Sequence, residues 1–449
     1  MDYLKMMMSW AWVGFWLLVA IVGGWYWVWW KREKERERKR GVPDGSLGWP
    51  FIGETLDFIS TGQSSKPVPM CFMDKKRSLY GKVFKSHILG LPMIVSMDSE
   101  VNKAVLQNDG RSFVPYYPKT IMELFGDLSI VTMEGNLHRR VHGLVGGFLK
   151  SPALKTRFTR EVEGRIRAAM AEWEVVEGGG GGGRVVHFQD VAREVTFQML
   201  VRVLLGIEPG ERYEYLKYEF HEFIKGLICL PVKFPGTRLY KSLKAKARMV
   251  KFVKSVIKDK MKRVDNESDT DVLDVLLNEM NGGKENMELK KEKMRSGEPY
   301  AWSDYMSLQF TQNVISETLR MGNIINAVWR KALKDVNIKG YVIPKGWGIL
   351  TSFSSIHLDE ENYENPYKFN PWRWERKEGN PLNFTPFGGG QRLCPGGDFS
   401  RLEVAIFLHH LVTRYSALAG LLQAIQVFQV MKWFKDSGEG VKIFKDEVS

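Results

Sequence analysis

The sequence predicts a mainly α-helical protein with small β-sheets, preceded by one N-terminal transmembrane helix. Three observations support this fold class. Apolar residues recur at mostly helical spacing between residues 137 and 173, and again between 190 and 206. Residues 336–350 alternate as a β-hairpin does, with a turn near Lys339–Gly340. Residues 9–30 carry no charged side chain and are long enough, as a helix, to cross a bilayer.

The N-terminal apolar run is predicted to be a retained signal-anchor. Tryptophans crowd its far end, where indole rings favour the membrane interface. Residues 31–40 follow with seven positive and three negative side chains. The alternative, a cleaved signal peptide, has a shorter apolar region that the positive charges precede. The positive-inside rule therefore puts residues 1–8 in the lumen and the rest in the cytosol, with 31–50 as a basic, proline-rich linker and 51–449 as one domain.

Composition narrows the class of partner. With 449 residues, 44% of them hydrophobic, the chain can bury a large core. Three widely separated cysteines argue against a disulfide framework. A net charge of +13 suits nucleic acid, an anionic membrane surface or an acidic protein. The sequence has no zinc-type spacing and no basic–aromatic nucleic-acid module, so we expect no nucleic-acid partner.

Two further stretches have a simple interpretation and an alternative. Residues 238–263 form a long basic amphipathic helix, which is most simply a solvated surface. A membrane-surface or acidic-partner role is the alternative. Six glycines at 178–183 lack the lysine and hydroxyl residue of a phosphate-binding loop, so they predict a surface loop.

A cysteine in a glycine-rich turn carries the chemistry. Residues 387–396 read FGGGQRLCPG and lead directly into a helical stretch, DFSRLEVAIFLHHLV. Glycines let the backbone approach a flat ligand and point amide N–H groups at the sulfur of Cys394. Those donors and the positive end of the helix both favour a thiolate. A planar metal macrocycle could take Cys394 as its axial ligand, with Arg392 on a carboxylate at the rim. A buried structural cysteine is the alternative.

This spacing, FxxGxRxCxG, resembles the haem-binding signature of the cytochromes P450. Its fixed positions in this chain are Phe387, Gly390, Arg392, Cys394 and Gly396. The likeness covers residues 42 to about 415 and is greatest to plant enzymes of the rotundifolia type, which hydroxylate brassinosteroid precursors at carbon 23. The resemblance implies a cytochrome P450 fold, a haem b cofactor and Cys394 as the axial ligand of its iron.

Three charged residues resemble the family's Glu–Arg–Arg network. Glu317 and Arg320 lie three residues apart on one face of a predicted helix. Taken alone, such a pair is usually a surface ion pair. Together with Arg373 it resembles the network that locks the segment before the cysteine loop, where it acts on structure more than on chemistry.

The resemblance also implies partners for the haem propionates. Arg330, in strand-like sequence, resembles the arginine that pairs with one propionate. His138 and His142 lie four residues apart on one helical face. They stand where many members of the family carry a tryptophan and a basic residue that reach the propionates. A metal-binding histidine pair is the alternative.

The activity that the resemblance implies is a monooxygenase reaction on a plant sterol or brassinosteroid precursor. One atom of O2 enters a C–H bond, expected at carbon 23, and electrons come from NADPH through NADPH–cytochrome P450 reductase. We expect a monomer in the endoplasmic reticulum membrane. Substrate contacts are expected in residues 113–125, 219–236 and 322–329, which are apolar with a few polar atoms. Ordinary core is the alternative for each.

The chain departs from the family pattern in two places. Between Leu276 and Tyr305 it has only a polar segment where the family has its central helix, whose acid–alcohol pair relays protons. After Arg414, the sequence ALAGLLQAIQVFQVMKWFKD replaces an expected β-rich tail. No proton-relay residue is therefore assigned. The alternatives are a truncated or misspliced inactive relative, a haem enzyme that rearranges peroxides, and a membrane-tethered binding protein without haem.

Overall fold

The computed structural model describes residues 40–49, 53–60, 70–174, 184–186, 188–227, 229, 231–261, 300–375, 381–414 and 441–443. The predicted anchor at 9–30 and the glycine run at 178–183 lie outside these ranges, as do residues 262–299 and 415–440. Within the described ranges, no helix is both long and apolar enough to cross a membrane.

Helices dominate the described chain, as the sequence predicts. In chain order they are α1 Thr55–Ser60, α2 Met70–Tyr80, α3 Ser99–Gln107, α4 Lys119–Phe125, α5 Gly135–Leu149, α6 Pro152–Glu174, α7 Phe188–Leu205, α8 Glu211–Ile224, α9 Arg238–Met261, α10 Trp302–Ser307, α11 Gln309–Gly322, α12 Ser354–His357 and α13 Gly397–Arg414.

The strands are short and form small sheets, also as predicted. In chain order they are β1 Val83–Ile88, β2 Leu91–Ser96, β3 Phe113–Pro115, β4 Arg184–Val186, β5 Ala327–Ala332, β6 Val336–Ile338, β7 Tyr341–Ile343, β8 Gly348–Ser352 and β9 Val441–Ile443. One sheet has the order β1-β2-β8-β5-β3, and the pairs β4–β9 and β6–β7 form two smaller sheets.

Periodicity located most of these elements. The helical stretch 137–173 is confirmed, but it consists of two helices because Pro152 begins α6, a position where its missing N–H costs nothing. The predicted hairpin is confirmed by antiparallel pairing of β6 with β7. Its turn lies at Lys339 and Gly340, which adopt φ angles of +54° and +85°. The long basic helix is α9.

One compact unit contains the five-stranded sheet and consists of Met1–Val114 and Ala327–Ser352. Strand β2 pairs with β8 in parallel, from Met93↔Gly348 to Ser96↔Thr351. The side chains of Ile94, Phe113 and Ile349 are completely buried and belong to one of its apolar clusters. This unit therefore brings together two parts of the chain that are more than two hundred residues apart.

The other compact unit is helical and consists of Pro115–Asn326 and Phe353–Ser449. Its main core cluster lies among α6, α7, α11 and α13. Members of that cluster that are buried to 2% exposure or less include Val162, Met199, Ile315, Leu402 and Ile406. This core supports the helix that follows Cys394.

Candidate functional site

Cys394 lies in a tight loop immediately before α13. Its backbone N–H donates to the carbonyl oxygen of Phe387 at 3.1 Å, which closes the loop. Gly388 has a φ angle of +79°, in the left-handed region that glycine enters without strain. A Cβ at Gly397 would lie 3.2 Å from the Phe387 ring, so the ring packs directly against the start of α13. The thiol of Cys394 is exposed.

The predicted histidines and Arg392 meet at this loop. His142 Nε2 lies 2.9 Å from the carbonyl oxygen of Leu393, and because a carbonyl only accepts, this nitrogen donates. The ring of His138 is 5.3 Å from that of His142, and His138 is 3% exposed. The Arg392 guanidinium donates to three carbonyl oxygens before α5, those of Ile130 at 3.4 Å, Val131 at 3.5 Å and Met133 at 2.8 Å. Helix α5 and the segment before it are thus each hydrogen-bonded to the cysteine loop.

Glu317, Arg320 and Arg373 form a buried cluster on α11 and the turn after Asn370. Arg320 donates to both carboxylate oxygens of Glu317, at 2.9 and 2.8 Å, and both side chains are fully buried. Arg373 Nε donates to Glu317 Oε1 at 3.1 Å. Burial alone raises the pKa of Glu317, but the hydrogen bonds and charge of Arg320 outweigh it, so this pKa lies below its ordinary value. The carboxylate is ionised and paired, unlike a surface ion pair.

Sequence reasoning missed His357, which extends this cluster. Arg320 donates to the carbonyl oxygen of His357 at 2.6 Å. The ring accepts from the backbone N–H of Thr385 at Nε2, 3.0 Å away, so Nδ1 carries the proton and donates to Asn323 Oδ1 at 2.6 Å. Burial and the positive charge of Arg320 lower the pKa of His357 to about 3. Its neutral ring therefore ties the end of α11 to the segment before the cysteine loop.

Trp374 was missed as well, although a signal for it existed. Its indole N–H donates to Glu317 Oε2 at 3.0 Å. It follows Arg373 directly in the sequence PWRW, so the residue next to a predicted network member was a candidate. For His357 the sequence offers no comparable signal, because its partners lie 28 to 37 residues away.

Arg330 belongs to the sheet unit. Its Nε lies 3.1 Å from Asp109 Oδ1, and both side chains are 3% exposed. This buried ion pair joins β5 to the turn after α3. A buried arginine needs such a partner, so the pair fixes the orientation of the guanidinium. Asp109 was not predicted from the sequence.

Two of the three predicted substrate segments, residues 113–125 and 219–236, contact each other. The Phe125 and Phe223 rings pack edge to face at 5.8 Å, and Lys233 Nζ lies 2.9 Å from Glu123 Oε1. In the third segment, Ile324 is 80% exposed. Across the residues that the structure describes, no group of three histidine, cysteine or acidic residues is placed to hold a metal ion.

Comparison with known proteins identifies relatives over most of the chain. The family model described as Cytochrome P450 matches residues 43–298 and 288–421. Two 3-epi-6-deoxocathasterone 23-monooxygenases of Arabidopsis thaliana are 52% and 48% identical to the chain; each match covers 84% of it, and 80% and 85% of the relative. The structure of retinoic-acid-bound cyanobacterial CYP120A1 superposes with a TM-score of 0.67 at 21% identity, covering 83% of this chain and 92% of that one.

The alignment to the first of these relatives includes positions that this chain lacks. It has 432 positions, yet 84% of the 449-residue chain is about 377 residues, so about 55 positions have no counterpart here. The two stretches matched by the family model meet at residues 288–298, between α9 and α10. This is the part of the chain where the sequence predicts that a helix is absent.

Proposed function

The chain belongs to the cytochrome P450 family, and we propose that it is a monooxygenase that hydroxylates carbon 23 of a brassinosteroid precursor. One observation carries the proposal: two Arabidopsis relatives at 52% and 48% identity, matched over 84% of this chain, are both named for that reaction. The substrate class follows from the same names. It is a sterol-like molecule, for which the apolar segments 113–125, 219–236 and 322–329 are the proposed contacts.

The loop geometry fits a haem. The thiol of Cys394 is exposed three residues before the start of α13. A Cβ at Gly388 or Gly396 would meet no atom within 4 Å, which leaves room for a flat group against the backbone, and Phe387 packs against the start of α13. Bound haem with a thiolate ligand supplies the chemistry that activates O2. Within the loop, Cys394 would hold the iron.

Residues beside the cysteine loop are proposed to hold the propionates, as the family resemblance implies. Arg392, His138 and His142 lie together there, with the Arg392 Nη groups donating to backbone carbonyls before α5 and His142 Nε2 to the Leu393 carbonyl. From the family resemblance alone, Arg330 of the sheet unit is also proposed as a propionate partner; its guanidinium is oriented by Asp109. The buried cluster of Glu317, Arg320 and Arg373 then has a positioning role, since it fixes the segment that leads to Cys394.

The remaining parts of the proposal concern partners and location. Two electrons per turnover come from NADPH through a membrane-bound reductase, as family membership implies. Residues 9–30 and the basic run 31–40 support an anchor in the endoplasmic reticulum membrane with the haem domain on the cytosolic side. The domain is proposed to act as a monomer. The family model matches the chain in two stretches that meet at residues 288–298, which supports the absence of the central helix, so the test must separate haem binding from turnover.

Membranes that contain the full chain allow both measurements. Reduced protein with carbon monoxide should show the red-shifted Soret band of thiolate-ligated haem, and Cys394→Ala should abolish it. Cys229→Ala is the matched control, because Cys229 is a partly buried cysteine that bonds to its own segment through the carbonyl of Gly226. Absence of the band in the unaltered chain would refute haem binding.

Turnover is tested separately. Membranes with reductase, NADPH and 3-epi-6-deoxocathasterone should yield a product hydroxylated at carbon 23, and Cys394→Ala should yield none. A thiolate band without any such product rejects the monooxygenase proposal while leaving haem binding intact. Product formed with peroxide but not with NADPH and reductase would assign the chain to the peroxide-using class instead.

A further inference from the structure

Helix α13 packs against the main core of its unit, yet it carries Arg401 and Glu403. Between Phe399 and Leu408 its side chains are apolar apart from Ser400, Arg401 and Glu403. A helix that is apolar nearly all round lies inside a protein, where a charge needs a partner. Burial disfavours both charged forms, so it lowers the pKa of Arg401 and raises that of Glu403.

Each of these side chains bonds to a hydroxyl on a different neighbouring helix. Arg401 Nη1 donates to Ser316 Oγ on α11 at 3.0 Å. Thr196 Oγ1, on α7, donates to Glu403 Oε1 at 2.5 Å. Side chains two residues apart on a helix are rotated by about 200° around its axis, so the two hydrogen bonds lie on opposite sides of α13.

Helix α13 also packs on α10, where the Trp302 ring lies 4.9 Å from the Phe399 ring, and on α6. The rings of Phe158 and Phe399 stack edge to face at 4.3 Å, and His410 Nε2 lies 3.6 Å from Glu163 Oε1. These contacts are apolar or weakly directional, and apolar packing tolerates small rotations and shifts. Hydrogen bonds do not, because they weaken steeply with distance and angle. The two hydroxyl bonds therefore constrain the rotation of α13 about its axis and its position along that axis more sharply than the apolar contacts do.

The position of α13 matters because Cys394 is joined to its first turn through Pro395 and Gly396. We propose that the Thr196–Glu403 and Ser316–Arg401 hydrogen bonds set the rotation and height of α13 and thereby the position of the Cys394 sulfur. Thr196, Ser316, Arg401 and Glu403 are positioning residues in this proposal. It rests on the proposed function only through the ligand role of Cys394.

Thr196→Val tests the proposal, with two companion variants. Thr196→Ser keeps the hydroxyl and should behave as the unaltered chain. Thr159→Val is the matched control: Thr159 is 3% exposed on α6, but its hydroxyl bonds only to the Lys155 carbonyl oxygen of its own helix, at 2.8 Å. Both valine variants lose one hydroxyl from the same helical unit, so they separate a local effect on the loop from general destabilisation.

The first readout is amide hydrogen exchange of residues 387–396 in the full chain, which needs no haem. Loss of a hydrogen bond between a hydroxyl and a charged group costs enough free energy to raise the rate of amide hydrogen exchange about tenfold. We expect exchange in this loop, including the Cys394 N–H, to become about tenfold faster in Thr196→Val and to stay unchanged in Thr196→Ser and Thr159→Val. Equal acceleration in both valine variants, or none in Thr196→Val, overturns the proposal.

The second readout is the reduced carbon monoxide complex. In Thr196→Val the thiolate-type band should convert to the thiol-type band about tenfold faster than in Thr159→Val. If the unaltered chain shows no thiolate band, the proposed function fails and the exchange comparison still decides the positioning role. If the band is present and decays equally in the two variants, the positioning role is rejected and the proposed function stands.

Discussion

Replacing Glu317 by glutamine should lower the free energy of unfolding more than the same carboxylate-to-amide substitution does at an exposed position. The Glu317 carboxylate is fully buried and accepts five hydrogen bonds, from Arg320 twice and once each from Asn370, Arg373 and Trp374. Glutamine has nearly the same shape but no charge, so it leaves the buried Arg320 guanidinium without an anion. Breaking a buried pair in this way costs about 3–5 kcal/mol, a large part of a typical total of about 5–15 kcal/mol.

Urea unfolding followed by far-UV circular dichroism measures this loss. Asp190→Asn is the matched control, because Asp190 and Arg193 also form an i, i+3 pair but are 71% and 62% exposed. That change should cost less than about 1 kcal/mol. If Glu317→Gln shifts the free energy of unfolding no more than Asp190→Asn does, the cluster is not the stabilising element that its burial implies.

Two further predictions concern pH and close packing. The pKa of His357 falls from 6.5 to about 3 on folding, because burial and the Arg320 charge disfavour its protonated form. Between these two pH values the unfolded chain binds a proton that the folded chain does not. The free energy of unfolding should therefore decrease as pH falls, by at most about 1.4 kcal/mol per pH unit. Urea unfolding at a series of pH values should show this dependence, and the dependence should be weaker in His357→Asn. Gly45→Ala should lower the melting temperature, because the added Cβ would lie 2.1 Å from the Lys85 carbonyl oxygen. Gly143→Ala on α5 is the comparison: its added Cβ would meet nothing within 4 Å, so this change should raise the free energy of unfolding by up to about 1 kcal/mol. Equal shifts in melting temperature for the two variants would contradict the packing argument.

The sequence predicted elements and motifs better than it predicted partners. Apolar periodicity located α5, α6, α7 and α9, because burial of one helical face leaves a local pattern in the chain. The cysteine loop was found because its glycines, arginine and cysteine are adjacent in sequence. Asp109, His357 and Thr196 left no such trace. Each acts on a residue at least 28 positions away, and local periodicity carries no information about such contacts.

The five-stranded sheet closes a very long loop, and this has a consequence for how the chain folds. Met93 pairs with Gly348, so the sheet cannot form until some 250 residues of intervening chain have been synthesised. The entropy cost of closing a flexible loop grows only with the logarithm of its length. Even the loss of all of the about 55 unmatched positions from that loop would change the cost by only about 0.2 kcal/mol. The shortened chain should therefore join β2 to β8 as readily as its longer relatives do, and more slowly than it forms its helices, whose contacts are local.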